Sequence, residues 1–184
     1  MIIFDLDGTL ADCEHRRHFV DPYKNSAYEY VPKDNEIGWK EGWYCNLSAP
    51  YFGKPWSPDW KEFYEACDED FIITPVRSVF IQYCHREIEI WSGRCESVRK
   101  KTESWLSKNI FDDDFKQFKN IKLKMRPIGD STPDDVLKEK WLDEHFARGG
   151  RPIEFVFDDR PKVVRMWRRR GIFVFDVNQS GKEF

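Results

Sequence analysis

Apolar and polar positions along the chain follow two rhythms. Ile2, Ile3 and Phe4 form an unbroken apolar run of β-branched and aromatic residues, which predicts a short buried strand with a sharp exit at Gly8. Ile88 and Ile90 alternate with Glu89 in EIEIWSGR, predicting a strand that turns at Gly93. Ile121, Leu123 and Met125 predict another strand, and IEFVFDDR and IFVFDV two more. Between these lie apolar residues at helical spacing: Val76, Val79, Phe80, Tyr83 and Cys84 after Pro75, then Val98, Thr102, Trp105 and Leu106. STPDDVLKEKWLDEHF predicts a helix with Thr132 as N-cap and Pro133 at its first position. A last helix runs from Pro161 to Arg170 and stops at Gly171. Strand and helix in regular alternation predict an α/β fold with a central parallel sheet and helices on both faces. In such sheets ligands bind beyond the carboxyl ends of the strands.

One segment breaks the rhythm. Residues 11–74 carry several prolines and many aromatics, among them Tyr23, Tyr28, Tyr30, Trp39, Trp43, Tyr44, Tyr51, Trp56, Trp60 and Phe63. A structureless loop of that length does not suit a compact domain, so a small folded insert is expected, with a helix near Asp59–Ala66. Its aromatics either form a mini-core or line a pocket that stacks on a base.

Composition narrows the function classes. With 184 residues, 40% hydrophobic and 34% charged, the chain reads as one globular domain over residues 1–184 with the insert inside it. Thirty basic and 33 acidic residues give a net charge of −3, which excludes a global positive field toward nucleic acid or membrane. Any polyanion contact must be local; Arg165, Arg168 and Arg169 on one helix face either track a backbone or form a solvated face. The five cysteines, an odd number without a CxxC pair, argue for reduced thiols and a cytoplasmic location. Cys13, His15, His18 and Cys45 match no common zinc spacing. No apolar stretch approaches the roughly 20 residues of a membrane span, and no signal peptide is recognisable, so no membrane partner is expected.

Chemistry gathers at the predicted strand ends. FDLDGT delivers Asp5, Asp7 and Thr9, IWSGR delivers Ser92, Gly93 and Arg94, and VFDDR delivers Asp158 and Asp159. Asp134 and Lys138 stand near a helix start, where anions are favoured. Asp5 and Asp7 lie two apart and so point to one side, where like charges demand a cation. Magnesium suits that demand, because hard divalent cations take one or two carboxylates with water and substrate phosphate. Asp5, the Asp7 carbonyl and Asp158 are its candidate ligands. The ion would let Asp5 approach a phosphoryl group as nucleophile, while Asp7 exchanges protons with the leaving oxygen and the attacking water. Ser92 and Lys138 would hold the phosphoryl oxygens. Asp134, one helical turn before Lys138, could orient its ammonium, and Arg94 could bind phosphate or cap a helix.

Taken together these motifs resemble the haloacid dehalogenase (HAD) superfamily of phosphatases: DLDGT as the nucleophile motif, Ser92 as the hydroxyl motif, Lys138 as the phosphate-binding lysine, Asp158 and Asp159 as the acidic metal motif. Within it, FDLDGTLAD, CDEDFIITPV, SGR, GDSTPDDVLKEKW and DDRPKVVRMWRRRGI are similar to the 3'-phosphatase domain of bacteriophage polynucleotide kinase-phosphatases. The resemblance implies a Rossmann-like HAD fold, with the aromatic-rich insert acting as a small cap. It adds Arg94, Asp134 and an arginine after the first motif, Arg16 or equally Arg17, to the functional set. No GxxxxGK[ST] loop is present, so the kinase half is missing from this chain.

The resulting expectation is a magnesium-dependent phosphomonoesterase acting on the 3'-phosphate of a nucleic-acid end, with a separate kinase or ligase as partner and, in a viral setting, the host cytoplasm as its location. Its rivals are a nucleotidase for small nucleoside monophosphates, whose cap encloses one base, and a non-catalytic nucleic-acid or protein binding module.

Overall fold

The computed structural model describes residues 1–46, 52–111, 120–179 and 181; Tyr51 of the aromatic segment lies outside them. The chain divides into two compact units, one made of Met1–Cys13 with Asp68–Phe184, the other of Glu14–Cys67.

The larger unit is built on a five-stranded sheet: β1 (Ile2–Phe4), β6 (Ile88–Cys95), β7 (Ile121–Arg126), β8 (Phe155–Asp158) and β9 (Val174–Asp176), in the order β7-β6-β1-β8-β9 and parallel throughout. Strand β1 sits in the middle because both neighbours can pair with it: Ile2 registers with Ile88 on one side and Phe155 on the other. Alternation along β1 then feeds two cores. Ile2 and Phe4 pack with Phe80, Trp105, Leu106 and Ile110, from helices α2 (Thr74–Tyr83) and α3 (Arg99–Ile110). Ile3 packs on the other side with Trp141, Leu142, Val164 and Trp167, from α4 (Asp134–Ala147) and α5 (Pro161–Arg169). Each of these side chains contributes roughly 1.5–3 kcal/mol by leaving water. Among the described residues no helix is long and apolar enough to cross a membrane.

Two local expectations change. Thr132 does not cap α4: Pro133 occupies the N-cap with no side-chain cap bond, while the Thr132 carbonyl accepts from Arg126 Nη1 at 2.5 Å. The chain does not turn at Gly93 either; β6 continues to Cys95 with a register shift after Ser92, because Arg126 Nε holds the Gly93 carbonyl at 2.9 Å. Of the basic strip, Arg168 pairs with Asp176 at 3.9 Å and Arg169 with Glu139 at 2.8 Å, both arginines remaining exposed at the surface.

The smaller unit contains an antiparallel hairpin of β3 (Tyr28–Val31) and β4 (Gly42–Cys45), and a short helix α1 (Trp60–Glu65) whose N-cap Asp59 accepts from Glu62 N–H at 3.0 Å. Its aromatics contact one another: Tyr23 meets Trp43 edge-on at 4.7 Å, and Trp39 lies 4.8 Å from Tyr44. The helix near Asp59–Ala66 was legible in the sequence; the hairpin, with no clean period-2 pattern, was not. A two-residue ribbon of β2 (Ala11–Asp12) and β5 (Phe71–Ile72) belongs to the larger unit.

Candidate active site

Strand order reverses at β1, with β6 and β8 on either side, and the carboxyl ends of these three strands carry the polar motifs. This is the topological switch point where open parallel sheets bind ligands. After β1 the chain makes a tight turn in which the Leu6 carbonyl accepts N–H groups from Thr9, Leu10 and Ala11 at 3.3, 2.9 and 2.8 Å. Gly8 is at φ +85°, and a Cβ there would come within 2.0 Å of Asp159 Oδ2. Only glycine lets the turn pass so close to the acidic motif on β8.

Asp5, Asp158 and Asp159 are all buried and each offers an oxygen within 4.8 Å of the others. Lys138, reaching in from α4, donates from Nζ to Asp5 Oδ1 at 2.6 Å and to Asp158 Oδ2 at 2.8 Å. The Trp167 indole and the Arg160 N–H add donors to Asp158 at 3.3 and 3.2 Å, and Thr9 Oγ1 lies 3.5 Å from both Asp5 Oδ2 and Asp159 Oδ1. Burial pushes the Asp5 carboxyl well above the usual range; Lys138 pulls it down, and Asp158 and Asp159 push it up again. Burial works against the Lys138 charge, but Asp158 and Asp5 outweigh it and hold that ammonium above the ordinary lysine range. Three carboxylates share this cluster with one hydrogen-bonded ammonium, a deficit of positive charge that the neighbouring Arg160 offsets in part. An all-oxygen donor set with that deficit fits a hard divalent cation.

Asp7 is held apart from this cluster. Arg94, buried on β6, donates to Asp7 Oδ1 from Nε at 2.8 Å and Nη2 at 2.5 Å, and Nη2 also reaches Asp70 Oδ2 at 2.5 Å. Ser92 is buried at the same strand end, with its Oγ accepting the Arg94 N–H at 3.1 Å. The Asp7 side chain is not among the three grouped carboxylates.

Asp134 does not hydrogen-bond Lys138. Arg126 Nη2 donates to one of its oxygens and Arg160 Nη1 to the other, so it reaches Lys138 only through space. Gly93 faces this clamp, with an imagined Cβ 2.8 Å from Asp134 Oδ1. Arg16, a residue of the smaller unit, is fully buried and donates from Nη1 to the Phe63 carbonyl at 3.0 Å with its guanidinium 4.1 Å over the Phe63 ring; Arg17 is only half-buried. Sequence reasoning missed Asp70, Arg126 and Arg160. Arg160 directly follows the DD pair, a signal that could have been used; Asp70 and Arg126 carry none.

A family model for the polynucleotide kinase PNKP phosphatase domain matches residues 60–181. A protein of the Autographa californica nuclear polyhedrosis virus, named as a bifunctional polynucleotide kinase/RNA ligase, is 39% identical over 115 residues, covering 61% of this chain and 15% of the viral protein. Two solved structures of the Pnkp1/Rnl/Hen1 RNA repair complex contain chains that superimpose with TM-scores of 0.60 and 0.62 at 26% and 27% identity. They match 96% and 98% of this chain, which spans 41% and 46% of theirs. The chain therefore covers less than half the length of these relatives.

Proposed function

The chain belongs to the family of polynucleotide kinase phosphatase domains, and from that premise we propose that it removes the 3'-terminal phosphate of a nucleic-acid strand in a magnesium-dependent reaction. The observation that carries this reading is the buried trio of Asp5, Asp158 and Asp159 bridged by Lys138 at the switch point of the sheet.

Asp5, Asp158 and Asp159 would hold the divalent cation, which supplies charge neutralisation and Lewis acidity toward the phosphoryl oxygens. Asp5 attacks phosphorus, a phospho-aspartyl ester forms, and the bond to the leaving ribose or deoxyribose oxygen breaks. Asp7 gives that oxygen its proton, then takes a proton from the water that attacks the phosphoryl group, releasing inorganic phosphate and restoring Asp5. Arg94 aims the Asp7 carboxyl at this shuttle. Lys138 and Ser92 hold phosphoryl oxygens as charge shifts in the transition state, and Thr9 backs Asp5 and Asp159. Asp134, clamped by Arg126 and Arg160, fixes the start of α4 from which Lys138 projects. The neighbours' place in a Pnkp1/Rnl/Hen1 complex supports a repair protein such as a kinase or ligase as partner, and the smaller unit is proposed as the cap.

Hydrolysis of a 3'-phosphorylated oligonucleotide, compared with 3'- and 5'-mononucleotides with and without magnesium, tests the reading. Preference for the oligonucleotide, abolished by Asp5→Asn, is expected; preference for a 5'-mononucleotide would replace it with a nucleotidase.

A further inference from the structure

The cations of the site differ in how much of each they leave open. Lys138, Arg94 and Arg126 hold Asp5, Asp7 and Asp134, and their side chains are only 4%, 0% and 9% exposed. Arg160 holds the second oxygen of Asp134 from Nη1, yet its side chain is 33% exposed. Its backbone N–H is bonded to Asp158 Oδ1 at 3.2 Å, which fixes the residue as the N-cap of α5. Nε and Nη2, which together form one edge of the guanidinium plane, meet no acceptor among the described residues.

That edge is the fork with which arginine grips a carboxylate or a phosphate through two parallel bonds. Partial burial works against the Arg160 charge, but Asp134, and through space Asp5, Asp159 and Asp158, outweigh it. The guanidinium is thus within electrostatic reach of the acidic trio and open to solvent at once. Its other side is anchored, because the Asp134 that holds Nη1 is itself held by Arg126. An anchored fork loses little freedom when a ligand arrives.

We propose that the open edge of Arg160 binds the phosphodiester linkage between the terminal nucleotide and the one before it, an inference that rests on the reading of the chain as a polynucleotide 3'-phosphatase. On that reading the terminal phosphate travels to Asp5, which is buried, and meets Lys138 and Ser92, which are buried with it. The next anion of the strand lies one nucleotide back, outside this floor, and Arg160 offers exposed donors for it. A 3'-mononucleotide ends before that linkage; an oligonucleotide does not. Arg160 therefore supplies binding energy that only a polynucleotide can use, remote from the reacting phosphorus. A contact to phosphate carries no base information, so the preference is for a chain over a nucleotide and not for a sequence.

The test uses the whole chain with magnesium and oligonucleotides carrying a 3'-phosphate, in which one linkage at a time is replaced by an uncharged methylphosphonate. In the parent chain, replacement of the last linkage should lower kcat/KM about tenfold, mainly through KM, and replacement farther back should change it little. Arg160→Gln should lose about tenfold on the unmodified oligonucleotide and then at most about twofold more on the methylphosphonate. Any loss that runs through Asp134 falls on both substrates and cancels in that comparison. Melting curves and hydrolysis of an aryl phosphate report whether the variant folds, and the linkage scan on the parent chain needs no variant. A parent chain indifferent to the last linkage, or a folded variant that still loses the full tenfold on the methylphosphonate, would overturn the proposal and leave the 3'-phosphatase reading standing. Failure to release phosphate from any 3'-phosphorylated oligonucleotide would overturn both.

Discussion

Lys138 Nζ lies 2.6 Å from Asp5 Oδ1, in a buried pair, while its second contact at 2.8 Å reaches Asp158. The ammonium therefore stands between the proposed nucleophile and a proposed cation ligand and lowers the repulsion between them. Lys138→Met removes that charge and keeps the volume. Breaking a buried pair from one side costs about 3–5 kcal/mol because the remaining charge is uncompensated. We expect a lowered melting temperature that magnesium largely restores, as the cation takes over the neutralising role, with turnover still reduced by about 10²–10³-fold. Melting curves with and without magnesium check the first part, and single-turnover hydrolysis the second.

Arg94 bears on Asp7 in a different way. Two of its nitrogens grip one Asp7 oxygen and one of them also holds Asp70, so it orients a carboxyl. Lysine cannot reproduce a planar fork, and Arg94→Lys should let Asp7 swing. Loss of a positioned general acid costs about 10²–10⁴-fold. The expected signature is a fall in kcat with KM nearly unchanged, and a much smaller defect on an aryl phosphate whose leaving group needs no proton. A rise in KM with kcat intact would assign Arg94 to the phosphate instead.

The contrast between Gly8 and Gly171 isolates the acidic cluster. Both have positive φ, +85° and +71°, so alanine strains either by about 1–2 kcal/mol. At Gly171 a Cβ meets nothing within 4 Å, whereas at Gly8 it strikes Asp159 Oδ2 and Cγ at 2.0 and 2.4 Å. Gly8→Ala should therefore displace Asp159 and weaken magnesium binding at least tenfold in calorimetric titration. Gly171→Ala should lower stability by a similar strain and leave magnesium affinity as it is.

These tests concern residues that the sequence exposed unequally. Asp5, Asp7, Asp158 and Asp159 were legible because each follows an apolar run of a few residues, and a parallel sheet carries such strand ends to one edge whatever the loops do. Strands and helices of the larger unit were legible for the same reason: Ile2 and Phe4 against Ile3 already separate the two cores. The Arg126–Asp134–Arg160 clamp was not, since its members come from β7, the start of α4 and the approach to α5, and no spacing encodes which cation meets which carboxylate. Thr132 misled for a related reason: its carbonyl is taken by Arg126, a partner 6 residues back that local capping rules do not see.

Arg16 poses the sharpest remaining choice, between substrate binding and structure. It is fully buried, with its guanidinium 4.1 Å above the Phe63 ring and a 3.0 Å bond to the Phe63 carbonyl, on the helix that Asp59 caps. A buried charged hydrogen bond with a desolvated ring contact is worth about 2–4 kcal/mol. Arg16→Ala should therefore loosen Glu14–Cys67 as a unit, seen as faster proteolytic cutting within it and a lowered melting temperature, and Arg16→Lys should rescue little because an ammonium cannot both stack flat on Phe63 and reach its carbonyl. If both variants instead resist protease like the parent chain and raise KM for a 3'-phosphorylated oligonucleotide, Arg16 acts on substrate and the packing argument fails.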